Sequence, residues 1–279
     1  MVDNCRDHIW RVPPPRLALG DDEVQVWRAS LDATPERIEQ LSRTLTADER
    51  ARAERFRFAR DRARSIVARG VLREIIGRVL AREPGALAFR YNAFGKPSLP
   101  DESGRERIRF NLSHADGIAL YALTRHRAVG VDIERVRADM AGERIAERFF
   151  SAREVATLRA LDPALQPEAF FACWTRKEAY KKARGEGISV GLDRFDVSLA
   201  PNEPAALLAS READEATSRW DLHHLTPHPG YVGAVAVEGD PCGLTCWQWQ
   251  QRSSGERSRR DMVGTSWRAR DGVKVAGLS

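Results

Sequence analysis

The run "VGVDIE" at residues 129–134 alternates, so Val129, Val131 and Ile133 share one strand face and Gly130, Asp132 and Glu134 the other. Two carboxylates at i and i+2 point the same way. Like charges that close repel unless a cation lies between them. An oxygen-only donor set, with no His or Cys, suits Mg²⁺ better than zinc. A polar strand face in water gives the same tripeptide. Ahead of it, "FNLSHADG" at 110–117 sets Ser113 and His114 at a strand end, before a turn at Asp116–Gly117. A hydroxyl and an imidazole there could hold a phosphate. Neighbours on a strand point to opposite faces, so adjacency alone makes no hydrolase. Ordinary turn chemistry with a core-facing His is the alternative. Lys96 in "FGKPSLP" precedes a proline, which biases it to extended backbone. The surrounding residues lack the paired glycine and following helix of a phosphate-binding P-loop; a turn lysine is the plain reading.

Of 45 basic residues only five are lysines, and three of them, Lys177, Lys181 and Lys182, fall within "WTRKEAYKK" at 174–182. Trp174, Glu178 and Lys182 lie at i, i+4 and i+8, roughly one helical stripe, with Lys177 and Lys181 on the adjacent one. An ordinary Glu–Lys pair at this spacing is worth a few tenths of a kcal/mol, and arginine would serve as well. A compact ammonium that approaches a phosphoryl oxygen as a point charge is a reason to keep lysine. In an earlier helical stretch, 60–81, Ala63, Ile66, Val67, Gly70, Val71 and Ile75 have core spacing. Arg62, Ser65, Arg69 and Arg73 form another face, readable as a phosphate reader or as a solvated arginine row.

The elements that must position these residues recur twice in the same order. Short alternating strands are expected at 23–31 and 128–136. Capping-box signals, "TADE" at 46–49 and "SARE" at 151–154, introduce helical stretches. Long helices follow at 60–81 and 168–184, then "LAFRYNAFGKPSL" at 87–99 and "GISVGLDRFDVSL" at 187–199. Apparent hairpins close each series at 109–123 and 220–237. The expected fold is α+β: two similar halves, 23–125 and 126–249, packed face to face with a site between them. A single irregular α+β domain is the alternative. Residues 1–22 are expected to be flexible and 250–279 to form a disordered basic tail.

Composition agrees with a globular body: 42% hydrophobic residues, and no apolar run long enough to span a membrane. The four cysteines show no zinc-ligand pairing and read as free thiols in a cytosolic protein. The net charge of +5 is concentrated at 49–73 and in the tail, a pattern that fits a local anionic ligand better than nucleic acid.

Taken in order over 94–189, "FGKPSLP", "FNLSHADG", "VGVDIE", "RFFSAREVATL" and "WTRKEAYKKARGEGIS" resemble the 4′-phosphopantetheinyl transferases, specifically the larger surfactin-type group with two fused halves. The resemblance covers about 23–240. It implies transfer of the phosphopantetheine arm of coenzyme A to a serine of an acyl or peptidyl carrier protein, with release of 3′,5′-ADP. The fused halves make a monomer sufficient, and a cytoplasmic protein with no nucleic-acid or membrane partner is expected. Carried over by position, Asp132, Glu134 and Glu178 would hold Mg²⁺ on the pyrophosphate, and Lys182 would contact the leaving phosphate. Lys96, Ser113 and His114 would hold the 3′-phosphate and neighbouring oxygens, with Arg52 and Ser65 around the nucleotide and Arg69 added from the helix face. Glu154 would take the serine proton. Glu49 departs from the pattern, standing where some members carry a lysine. A coenzyme A or carrier-binding protein without turnover is the alternative function.

Overall fold

The computed structural model describes residues 9–100, 108–138, 142–185, 191–201, 203–211 and 216–250. All of the expected tail beyond residue 250, and residues 1–8, lie outside that set. In the N-terminal half, β1 (Glu23–Ser30) alternates between two cores: Val24 and Val26 on one face, Trp27 and Ala29 on the other. Thr34 caps α1 (Pro35–Ser42), and a Thr46–Glu49 capping box opens α2 (Ala47–Glu54). The long α3 (Ala59–Leu80) leads through a 3₁₀ turn to the two-residue strands β2 (Arg90–Tyr91) and β3 (Pro97–Ser98). The hairpin of β4 (Ile108–Ala115) and β5 (Ile118–Arg125) turns at Asp116 and Gly117, where φ is 41° and 92°.

The C-terminal half repeats the order. It contains β6 (Val129–Arg135), α4 (Gly142–Phe149), α5 (Ala152–Ala160) with a Ser151–Glu154 capping box, and α6 (Gln166–Arg184). A 3₁₀ turn, the pair β7 (Phe195–Val197) and β8 (Leu207–Ser210), and the hairpin β9 (Trp220–Leu225) and β10 (Tyr231–Glu238) follow. In each half the first strand pairs antiparallel with the last strand of its hairpin, β1 with β5 and β6 with β10. The sheets are β11-β1-β5-β4 and β6-β10-β9. Val24, Val26, Leu120 and Ala122 meet Val129, Val131, Ile133, Val235 and Val237 between them. Each fully buried aliphatic contributes about 1.5–3 kcal/mol. Helices α3 and α6 cover the outer faces over two further cores. The fold is α+β with the expected duplication of plan. Among the described residues no helix is long and apolar enough to cross a membrane.

Two expectations are corrected. Residues 9–22, expected to be flexible, are docked: Leu19 is buried, Trp10 Nε1 donates to the Thr226 carbonyl at 3.0 Å, and Arg11 bridges Trp247. The last strand, β11 (Gly243–Gln248), falls in the stretch assigned to the C-terminal half. It pairs in parallel with β1 of the other half, Val26 opposite Cys246.

The halves also share an internal brace. Glu49 of the first capping box pairs with the fully buried Arg73 of α3 at 2.7 Å, and Arg73 donates to the carbonyls of Pro84 and Leu87 at 2.9 Å each. Glu154 of the second pairs with the fully buried Lys177 of α6 at 2.8 Å, and Lys177 donates to the carbonyls of Leu192 and Phe195 at 2.6 Å each. Both cations thus tie a long helix to a capping box and to the 3₁₀ turn after that helix. Arg73 is therefore no part of an exposed arginine row.

Candidate active site

Gly130 sets the distance between β6 and α6. A Cβ there would lie 2.1 Å from the Ala179 carbonyl oxygen and 2.3 Å from the Ala183 nitrogen, so only glycine allows this approach. The face that carries Gly130 also carries Asp132 and Glu134, which brings both carboxylates to α6. On the other side, the buried Asn111 of β4 accepts from Val131 N through its side-chain oxygen at 2.9 Å. Ser113, two residues on, lies on the same face of β4.

Three elements from both halves therefore converge. Asp132 Oδ1 accepts from Ser113 Oγ at 2.8 Å and from Lys182 Nζ at 2.6 Å, and Lys182 Nζ also donates to Ser113 Oγ at 2.9 Å. Asp132 is 4% exposed, and among the described residues its Oδ2 is buried with no hydrogen-bond partner. Burial raises the Asp132 pKa, Lys182 and Ser113 oppose that, and the charge of Glu178 adds to it. Glu134 is pushed up to about 7, by burial first and then by Asp132. Glu178, one turn before Lys182, accepts from Lys181 at 3.1 Å. Asp132 feels the charge of Glu178 and in turn raises Glu134, and its unpartnered buried oxygen could serve a divalent cation held by oxygen ligands, although the three carboxylates do not close to within 4.8 Å of one another.

His114 points away from Ser113, as strand alternation requires. It keeps an exposed surface, and its pKa is lowered by partial burial and by the charges of Lys182 and Arg64. Arg52, Ser65 and Arg69 stand apart in the N-terminal half. Arg52 lies 4.2 Å over the Tyr91 ring, Ser65 is half-buried on α3, and Arg69 turns to Glu49 at 3.7 Å.

Two expected residues are placed elsewhere. Lys96 spends its ammonium on the carbonyls of Lys182, Ala183 and Val129 at 2.6, 2.9 and 3.2 Å. It caps the C-terminal end of α6, and burial with the nearby Arg109 lowers its pKa to about 8. Asn92 joins it there, donating to the Gly185 carbonyl at 2.9 Å. Glu154, expected as the base, is 2% exposed. Its oxygens serve Ser151 N, Val197 N and Lys177. The capping-box spacing was the signal for that role. Glu49 is likewise an interior group: its carboxylate pairs with the buried Arg73.

Asn111 and Gly130 were not singled out from the sequence. Asn111 lies two positions from Ser113 on one strand face, which could have marked it.

A family model described as "4'-phosphopantetheinyl transferase superfamily" matches residues 128–236, and one described as "4'-phosphopantetheinyl transferase, N-terminal" matches 27–125. The chain is 41% identical over 232 residues to the 4'-phosphopantetheinyl transferase HetI of Nostoc sp. (strain PCC 7120), covering 83% of this chain and 94% of that one. It is 36% identical to the 4'-phosphopantetheinyl transferase psf-1 of Bacillus pumilus, over 72% of this chain and 82% of that one. To the 4'-phosphopantetheinyl transferase Sfp of Bacillus subtilis (strain 168) it is 28% identical, over 72% and 86%. With both halves matched and these relatives covered nearly end to end, the chain belongs to the 4′-phosphopantetheinyl transferase superfamily.

Proposed function

We propose that this protein transfers the 4′-phosphopantetheine arm of coenzyme A to a serine of acyl or peptidyl carrier proteins and releases 3′,5′-ADP. The observation that carries the reading is the junction of Ser113, Asp132 and Lys182, with the unpartnered Asp132 Oδ2 beside Glu134 and Glu178. In the reaction the serine hydroxyl gives its proton to solvent water and its oxygen bonds to the phosphorus that carries pantetheine. The pyrophosphate P–O bond breaks, and its electron pair leaves on 3′,5′-ADP. Such a step needs charge neutralisation and in-line positioning more than covalent help.

Asp132, Glu134 and Glu178 would hold Mg²⁺, which would supply neutralising charge to the pyrophosphate. Lys182 uses two of its ammonium donors on Asp132 and Ser113 and retains a third for a phosphate oxygen. Ser113 orients both. His114, Arg52, Ser65 and Arg69 are the groups we assign to the nucleotide end. We assign Glu154 no proton-transfer role, because its buried carboxylate is held by Ser151 N, Val197 N and Lys177. Because both halves of the site come from one chain, a monomer is sufficient; we place the protein in the cytoplasm, acting on neither nucleic acid nor membrane.

Intact-mass spectrometry of several carrier proteins incubated with this protein, coenzyme A and Mg²⁺ tests the reading. A gain of one phosphopantetheinyl group on at least one carrier is expected. Binding of coenzyme A with no mass change on any carrier would favour a binding protein without turnover.

A further inference from the structure

We propose a second metal site, of zinc type, formed by Asp221 and His223 of β9 and Cys242 of the β10–β11 turn. Asp221 and His223 are two residues apart on one strand and face the same way. Cys242 arrives from the turn that follows β10, directly before β11. One ligand atom from each, a carboxylate oxygen, an imidazole nitrogen and the thiol sulfur, lies within 4.8 Å of the others. All three residues are half-buried. Donors bound at about 2.0–2.3 Å around a tetrahedral zinc sit roughly 3.3–3.8 Å apart, so small side-chain shifts close this set on an ion.

The donor chemistry separates this site from the carboxylate cluster. Sulfur and imidazole nitrogen select zinc-like ions, whereas Asp132, Glu134 and Glu178 offer only oxygen. The sites also sit on different strands: the sheet order is β6-β10-β9, which puts them two strands apart.

The surroundings already orient the ligands. His223 Nε2 lies 2.9 Å from Asp221 Oδ2, and the Cys242 backbone N–H donates to the same oxygen at 2.9 Å. Backbone donors of this kind hold a liganding carboxylate in place. Arg127 braces the same turn, donating to the Asp240 carbonyl at 2.7 Å and to Asp22 at 3.1 Å. On binding, the thiol proton leaves to solvent and His223 offers a ring nitrogen. Thiolate and carboxylate then balance the dication. The ion would fasten β9 of the second sheet to the lead of β11, which pairs with β1 of the first. Cysteine spacing gave no sign of this, because the ligands are of three types and Cys242 lies about twenty positions from the other two.

Cobalt is the probe, since only sulfur ligation gives a thiolate-to-cobalt band in the near ultraviolet. Co²⁺ is titrated into the reduced full chain with Mg²⁺ in excess to occupy oxygen-only sites. The expected result is a band that saturates at one equivalent, is displaced by Zn²⁺, and survives Cys246→Ser. It is lost in Cys242→Ser and in His223→Ala, whose folding is verified by thermal melting in chelator. Zn²⁺ should raise the Tm of the wild type and not that of Cys242→Ser. Absence of the band at stoichiometric cobalt, or its persistence in Cys242→Ser, overturns the proposal.

Discussion

The two halves share a frame and differ in what fills it. In the element-by-element correspondence, Trp27 of β1 stands where Asp132 stands in β6: Trp27 pairs across to Tyr121, and Asp132 to Ala234. Glu74 and Arg78 of α3 correspond to Glu178 and Lys182 of α6. In the C-terminal half the small Ala234 stands opposite Asp132, and Asn111 of β4 meets the edge of β6. In the N-terminal half the matching position is filled. Trp27 is fully buried with ring centroids 5.9 and 5.8 Å from Trp247 and Trp249, and β11 pairs the edge of β1. Glu74 is tied to Arg37, and Arg78 to the Pro14 carbonyl of the docked N-terminal segment. Duplication thus made two equivalent faces. One keeps charged groups around an unpartnered oxygen, and the other is closed with aromatic rings and strand pairing. The buried braces, Glu49–Arg73 and Glu154–Lys177, are common to both and belong to the frame.

Loss of Lys182 should break the difference most sharply. Lys182→Ala removes the cation beside Asp132 and Ser113 and should slow single-turnover transfer by about 10²–10³-fold, the scale of losing one preorganised electrostatic contact. The chain should stay folded, because burial already favours the neutral form of Asp132.

The braces predict the opposite signature. Glu154→Gln and Glu49→Gln each leave a buried cation without its counter-charge, and each should cost about 3–5 kcal/mol in denaturant unfolding. Transfer per folded molecule should change little in Glu154→Gln. A variant that is fully stable but slow would return Glu154 to the chemistry. Trp27→Ala, in the filled face, should cost a similar 3–5 kcal/mol through its cavity. Its activity per folded molecule should be retained.

How much of this was legible in the sequence follows from the range of each interaction. The long helices, the repeated strands and both hairpins are local patterns. They were expected at 60–81 and 168–184, for example, and occur at Ala59–Leu80 and Gln166–Arg184. The carboxylates and Lys182 were legible because alternation and helical spacing give direction. β11 was missed because its partner β1 lies more than 200 residues away and the pairing is parallel. The docking of residues 9–22 was missed because it depends on surfaces built by both sheets. Lys177 shows the limit most clearly. Helical spacing set it beside Glu178 and Lys182, yet it turns inward to carbonyls that only the tertiary fold brings to it.

The smallest expected effect is on pH dependence. The folded state holds Glu134 at about 7, above the ordinary carboxyl value of 4.5. Between those values the folded chain binds more protons than the unfolded one, so this group's contribution to stability falls as pH rises. Without divalent cation, the Tm of the wild type relative to Glu134→Gln should fall from pH 5 to pH 7.5, and Mg²⁺ should reverse part of the fall. A pH-independent difference would contradict the clustered-carboxylate reading.

The most direct test of the central claim, that the β6–α6–β4 junction does the chemistry and the matching face of the other half does not, is single-turnover transfer by Asp132→Ala. It is followed by intact mass of a carrier protein with coenzyme A and Mg²⁺, beside the wild type at equal folded concentration. The account predicts a folded variant with a near-wild-type melt and no detectable transfer within many wild-type half-times. Transfer at a near-wild-type rate would contradict it.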